Sequence, residues 1–98
     1  MAVLVNAAPG VVVYLESINA SSSPAYLKIF DSVQVPSCAG QPAAIIPILA
    51  AAGGAPAWAK RQTSIDLKAG VAFCIVGAVD DGDVSAPPPG VVINLRYK

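Results

Sequence analysis

Gly70 to Tyr97, GVAFCIVGAVDDGDVSAPPPGVVINLRY, decides the fold, because it holds two apolar runs of strand length, Val71 to Val76 and Val91 to Leu95, around a segment that can only turn. Both runs are rich in β-branched residues, whose stiff χ1 suits a pleated sheet better than a helix. Between them Asp80, Asp81, Gly82 and Asp83, then Pro87, Pro88, Pro89 and Gly90, remove amide donors and favour turns. The stretch reads as a strand, a long hairpin loop and a strand.

The same grammar extends toward the N-terminus. WAKRQTSIDL, Trp58 to Leu67, places Thr63, Ile65 and Leu67 on one parity and Ser64 and Asp66 on the other, as a half-exposed strand requires. Lys68, Ala69 and Gly70 then have the length and composition of a hairpin connection into Val71. Ala44 to Leu49 is a short strand whose Pro47 cannot donate to a ladder, so it belongs at an edge or bulge. Gly53, Gly54 and Pro56 make Ala50 to Ala57 a loop. In PAYLKIFDS, Leu27 and Ile29 alternate with Tyr26, Lys28 and Phe30, which gives a core face and a more polar face with an aromatic rim. VQVPSCAGQP, Val33 to Pro42, and NASSSP, Asn19 to Pro24, read as loops. GVVVYLESIN from Gly10 alternates Val11, Val13 and Leu15 against Val12, Tyr14 and Glu16. Residues 1–9 are an N-terminal arm or an edge strand, and 10–98 one β-sandwich domain. Six strands and an N-terminal seventh, without a persuasive helix, predict an all-β chain: an antiparallel β-sandwich or barrel.

Composition sets outer limits. At 98 residues the chain has room for one domain, whose folding hides roughly 60–70% of the surface the unfolded chain exposes. Apolar residues reach 55% and charged residues only 12%, against about 25% charged in ordinary domains. Even with much of the apolar share in alanine, part of the surface is expected to be covered by other subunits. Six basic and six acidic side chains balance without a run of either sign, so neither nucleic acid nor an anionic membrane is an expected partner. Gln41 to Ala59 is uncharged, yet three prolines and a Gly pair rule it out as a membrane-crossing helix. MAVLVNAAPG lacks a basic n-region and a convincing cleavage pattern, so synthesis in the cytoplasm is expected. In that compartment Cys38 and Cys74 are expected to be free thiols, while one disulfide between them stays open because sequence does not measure their separation.

Catalytic equipment is scarce. No histidine exists to activate a Ser or Cys. Lys28, Lys60 or Lys68 could act as a base only in a special environment, and Glu16 and Asp31 have no recognised spacing. Two cysteines without histidine do not make a zinc site. Asp80, Asp81 and Asp83 lack the later bidentate Glu of a calcium loop, so Asp with Gly here is turn chemistry. No metal, cofactor or enzymatic activity is expected. The basic pair Lys60 and Arg61 follows Trp58 and could stack on a base or sugar; the ordinary expectation is that Trp58 packs while the cations stay wet.

With the strands placed, YLKIFD at Tyr26 to Asp31, IIPILAAAGG at Ile45 to Gly54, GVAFCIVGAVDDGD at Gly70 to Asp83 and GVVINLRYK at Gly90 to Lys98 resemble a family. It is a group of small structural proteins of tailed bacteriophages and prophages, with YLKLYD-, IPIPAGG-, GLAYAITG- and VVVNLEYK-like segments in that order. The resemblance covers about Gly10 to Lys98 and is most specific in the last two segments. WAKRQTSIDLKAG, Cys74 and the triple proline depart from it. It implies a place in a virion and carries over no catalytic residue.

The expected protein is therefore a non-enzymatic virion component, a capsid decoration or cement protein binding the major capsid protein and itself as a homo-oligomer. A neck, tail or fibre component, or a glycan- or host-surface-binding module using Trp58 and Tyr14, is the alternative; few polar partners around those rings count against glycan. Candidate contact residues are Val3, Leu4 and Val5 of the arm and three aromatics expected to be exposed, Tyr26, Phe30 and Trp58.

Overall fold

A computed structural model of the chain describes residues 2–78, 86, 87 and 89–98. It contains β1 (Ala2–Asn6), β2 (Gly10–Asn19), β3 (Ala25–Asp31), β4 (Ala44–Ile48), β5 (Ala57–Leu67), β6 (Val71–Val76) and β7 (Val91–Tyr97). The strands form two antiparallel sheets, ordered β1-β6-β3-β4 and β5-β2-β7. The all-β expectation is met, as two separate layers rather than a closed barrel, with no helix among the described residues.

The main core lies between the layers. Val12, Leu15 and Leu67 come from one sheet, and Ala25, Leu27, Ile29, Ile48, Val71 and Ile75 from the other. Each large aliphatic among them contributes about 1.5–3 kcal/mol by leaving water. β3 and β6 occupy the middle of the four-stranded sheet and are buried on both faces. That is why Val71 to Val76 reads as an unbroken apolar run. Val71, Phe73 and Ile75 meet the main core, while Ala72, Cys74 and Val76 join Phe30 in a second cluster on the outer face, flanked by Ala2, Leu4, Tyr26 and Cys38.

The outer cluster is roofed by the segment that follows β3. Cys38 of that segment is disulfide-bonded to Cys74, with their Cα atoms 5.7 Å apart. The expectation of free thiols is corrected: alternation along β6 turns Cys74 outward, where the returning loop brings Cys38 over it. Lys28 is the register partner of Cys74 on β3. It is fully buried there, and its Nζ donates to the Cys38 carbonyl at 3.4 Å.

Both expected hairpins are also corrected. β5 pairs with β2 and β6 with β1 and β3, so Lys68 to Gly70 carries the chain from one layer to the other. β7 likewise joins β2, so β6 and β7 lie in different sheets. Local composition specified a tight turn in the first case and a long loop in the second, and the need to cover both apolar faces of β6 assigned the partners. Residues 79–85 and 88, with the Asp80, Asp81 and Asp83 cluster, lie outside the described residues.

β2 departs from strict alternation. Its register against both neighbours shifts between Val12 and Tyr14. Val12 and Leu15, three apart, therefore both reach the core, instead of Val11, Val13 and Leu15 sharing a face. The Thr63 hydroxyl donates to the Val12 carbonyl at this irregularity, at 2.7 Å.

Several loops follow their chemistry. Pro47 lies on β4, an edge strand, as expected. Gly53 (φ 60°) and Gly54 (φ 78°) occupy consecutive left-handed positions of a tight turn closed by the Ala55 N–H to Ala52 carbonyl bond of 3.1 Å. The Asn19 to Pro24 loop is tied by buried Asn19, which donates to the Ser23 carbonyl at 2.9 Å and accepts from the Ser21 N–H at 2.8 Å.

Asp31 holds the passage between the layers. Its carboxylate accepts the N–H groups of Lys68 at 3.0 Å, Ala69 at 2.7 Å and Gly70 at 3.1 Å. These bonds, that from Ala69 foremost, hold its carboxyl below the ordinary value of 3.8. A group whose folded value is depressed stabilises the fold above its unfolded value, and the contribution is lost as pH falls through the folded one. Asp31→Asn is thus expected to melt below the parent chain at neutral pH, with the gap closing well below pH 3.8. Paired thermal melts at neutral and acid pH check this, and a gap that persists unchanged in acid contradicts it.

Candidate functional site

The outer face of β5-β2-β7 is open, and strand register arranges its side chains in three cross-strand rows. Ile18 lies between Trp58 and Val92, Glu16 between Lys60 and Asn94, and Tyr14 between Gln62 and Arg96. Neighbouring rows are about 7 Å apart along the strands, two residues at the strand rise. The first row is apolar and largely wet: Trp58 is 64% exposed and Val92 51%.

The second row is bonded within itself, and in the third Arg96 lies against Tyr14. Glu16 lies 3.8 Å from Lys60 Nζ through Oε2 and accepts from Asn94 Nδ2 at 3.2 Å through Oε1. The Arg96 guanidinium sits 5.5 Å from the centre of the Tyr14 ring. Tyr14, Glu16, Lys60, Asn94, Leu95 and Arg96 line a shallow depression of about 640 Å³ beside the Trp58 row. An apolar strip bordered by pre-paired polar groups is suited to contact, since docking there desolvates few unpaired charges.

The expected contact residues separate into different places. Trp58 is at the surface, as expected of a contact residue and unlike the ordinary packing of a tryptophan beside wet cations. Strand alternation splits the basic pair: Lys60 shares the face of Trp58, whereas Arg61 lines a small cavity of about 60 Å³ between the layers with Leu15, Leu27, Ile46 and Ile93. The exposure expected of Phe30 is corrected, for it is 6% exposed, under the 32–43 segment. Tyr26 and Leu4 pack at the rim of the same cluster. Val3 is half-buried in β1, and Val5 packs against the main core. β1 is an edge strand paired with β6 through Ala2, Val3, Leu4 and Asn6.

Ile18, Val92 and Asn94 carried no signal of their own in the sequence, and Glu16 stood there only as a carboxylate without recognised spacing. The period-two pattern put Ile18 and Glu16 on one parity, but only the pairing of β2 with β5 and β7 shows that Trp58 and Val92 flank Ile18. No protein-family model, curated protein or solved structure matches this chain.

Proposed function

We propose that this chain is a non-enzymatic structural protein of a bacteriophage particle, a capsid decoration or cement protein that binds the major capsid protein and copies of itself. The observation that carries the reading is the apolar row of exposed Trp58 and Val92 with half-buried Ile18 between them, beside a row in which Glu16 is paired with Lys60 and Asn94. Such a strip in a chain with 12% charged residues favours adhesion. Many copies on a lattice multiply a weak contact through effective concentration. The phage assignment itself comes from the four resembling segments. The disulfide suits a protein that ends on a virion surface, where such bonds persist after synthesis in a reducing cytoplasm.

Particles purified from infected or induced cells, with this chain counted against the major capsid protein by quantitative mass spectrometry, test the proposal. A copy number comparable to the shell protein is expected; a few to a few dozen copies moves the chain to neck, tail or fibre, and its absence ends the virion reading. Trp58→Ser is expected to lower occupancy on particles without lowering the melting temperature, because the ring is 64% exposed. Equal occupancy would remove Trp58 from the contact.

A glycan-binding module is the second reading, and one observation favours it. Glu16, Lys60 and Asn94 stand on the same face as the Trp58 ring, one row away, supplying the polar partners that sugar hydroxyls need. A glycan array separates the two: it stays blank for a cement protein and shows saturable hits for a receptor-binding module.

A further inference from the structure

We propose that two copies of this chain pair edge to edge through β5, antiparallel about a two-fold axis at Thr63, joining their three-stranded sheets into one. The proposal rests on reading the chain as a self-associating adhesion protein and names the surface involved. β5 is the long edge of the molecule. Of the four edge strands, β1 is five residues with a register shift, β4 is five residues with Pro47, and β7 is seven residues entered from Pro89 and Gly90. β5 runs for eleven residues without Pro or Gly, and every residue from Trp58 to Gln62 is exposed. A long edge free of proline and glycine is a template for another strand, the one slip in its ladder to β2 lying between Gln62 and Ile65.

The direction of its backbone groups follows from the ladder. Val11 and Lys98 exchange both N–H to carbonyl bonds, at 2.9 and 3.0 Å, and the Ala20 N–H reaches the Gly90 carbonyl at 3.0 Å. Since alternate residues of an antiparallel strand bond to opposite sides, Val12 near one end and Leu15, Ser17 and Asn19 toward the other turn to β5. They meet Ile65, Arg61, Ala59 and Ala57. The residues between these on β5, Trp58, Lys60 and Asp66 among them, turn their backbone groups to the free edge.

Charge then selects the register. With the axis at Thr63, Lys60 lies opposite the partner's Asp66, twice by symmetry. Gln62 faces Ser64, Arg61 faces Ile65, and no like charges meet. An axis at Gln62 instead puts Trp58 opposite Asp66 and leaves Lys60 facing Ser64. Opposite charges in facing positions stabilise a strand pair, and like charges oppose it. An isologous contact of this kind closes on itself as a dimer, rather than propagating.

Sedimentation equilibrium of the full oxidised chain over a micromolar range tests this. Self-association is expected, and Lys60→Asp, which sets two like-charge pairs against each other, is expected to weaken it at least about tenfold. The reversal Lys60→Asp with Asp66→Lys is expected to restore it. The two side chains are 66% and 67% exposed, so the variants are expected to fold, and Asp66→Lys alone asks the same question if Lys60→Asp does not. A monomer at all concentrations, or association indifferent to the reversal or not restored by it, overturns the proposal. The outcome is separate from the virion test: a monomeric chain abundant in particles ends the edge pairing alone, and a β5 dimer missing from particles ends the virion reading alone.

Discussion

Reducing the Cys38–Cys74 bond is expected to destabilise the chain by about 2–4 kcal/mol and to lower its melting temperature by roughly 10–20 °C. The two residues are separated by 36 positions in sequence, and closing a loop of that length removes about 4 kcal/mol of entropy from the unfolded chain on the simplest account. The bond also fastens the roof of the outer cluster, where Lys28 reaches the Cys38 carbonyl and Phe30 lies buried. Loss of the fastening should therefore show first as exposure of the 32–43 segment, with the strands retained. Thermal melts with and without reductant, beside a Cys38→Ala chain, check it. The parent chain should shift onto the variant when reduced, and coincident melts of oxidised and reduced parent would show that the bond adds nothing. A chain made reduced and oxidised on release would gain this stability only outside the cell.

Gly70→Ala is the second large effect, expected to cost about 3 kcal/mol, at the upper end for an overpacked site. A Cβ at Gly70 would collide with the carbonyl oxygen of Ser32 and approach that of Asn6 to 2.9 Å. Both atoms are backbone, so no side chain can swing aside. The position is where the end of β1, the end of β3 and the start of β6 converge: the Ser32 N–H donates to the Gly70 carbonyl at 3.2 Å, and the Gly70 N–H donates to Asp31 at 3.1 Å. Relieving the clash means opening the passage between the layers. Gly53→Ala gives the contrast, since no atom lies within 4 Å of its added Cβ and only the left-handed φ of 60° resists. Its cost should be about 1 kcal/mol. Denaturant unfolding of the two variants orders them, and equal midpoints would contradict the steric account.

The contact face was half legible before the fold was known. Trp58 stood out as the one tryptophan, but its exposure did not follow from its type, because a tryptophan in a strand more often packs. Phe30 failed in the opposite sense. It sits on the polar parity of β3 beside Lys28, which reads as a solvent face, yet the Cys38 segment covers that face and buries both residues.

The sequence by itself determined where the chain extends and where it turns. β-branched runs, period-two alternation and Gly, Pro and Asp breakers act within a few residues, so they place β2 through β7 without any partner. Tertiary structure decided which strands are neighbours, which thiols meet and which aromatics stay in water. A strand offers the same two edges and two faces to every candidate, and for β3 and β6, apolar on both faces, alternation cannot say which layer lies on which side. Only the closing of the second sheet on one face and of the 32–43 segment on the other settled it, leaving the Trp58 row as the face that nothing in the described chain covers.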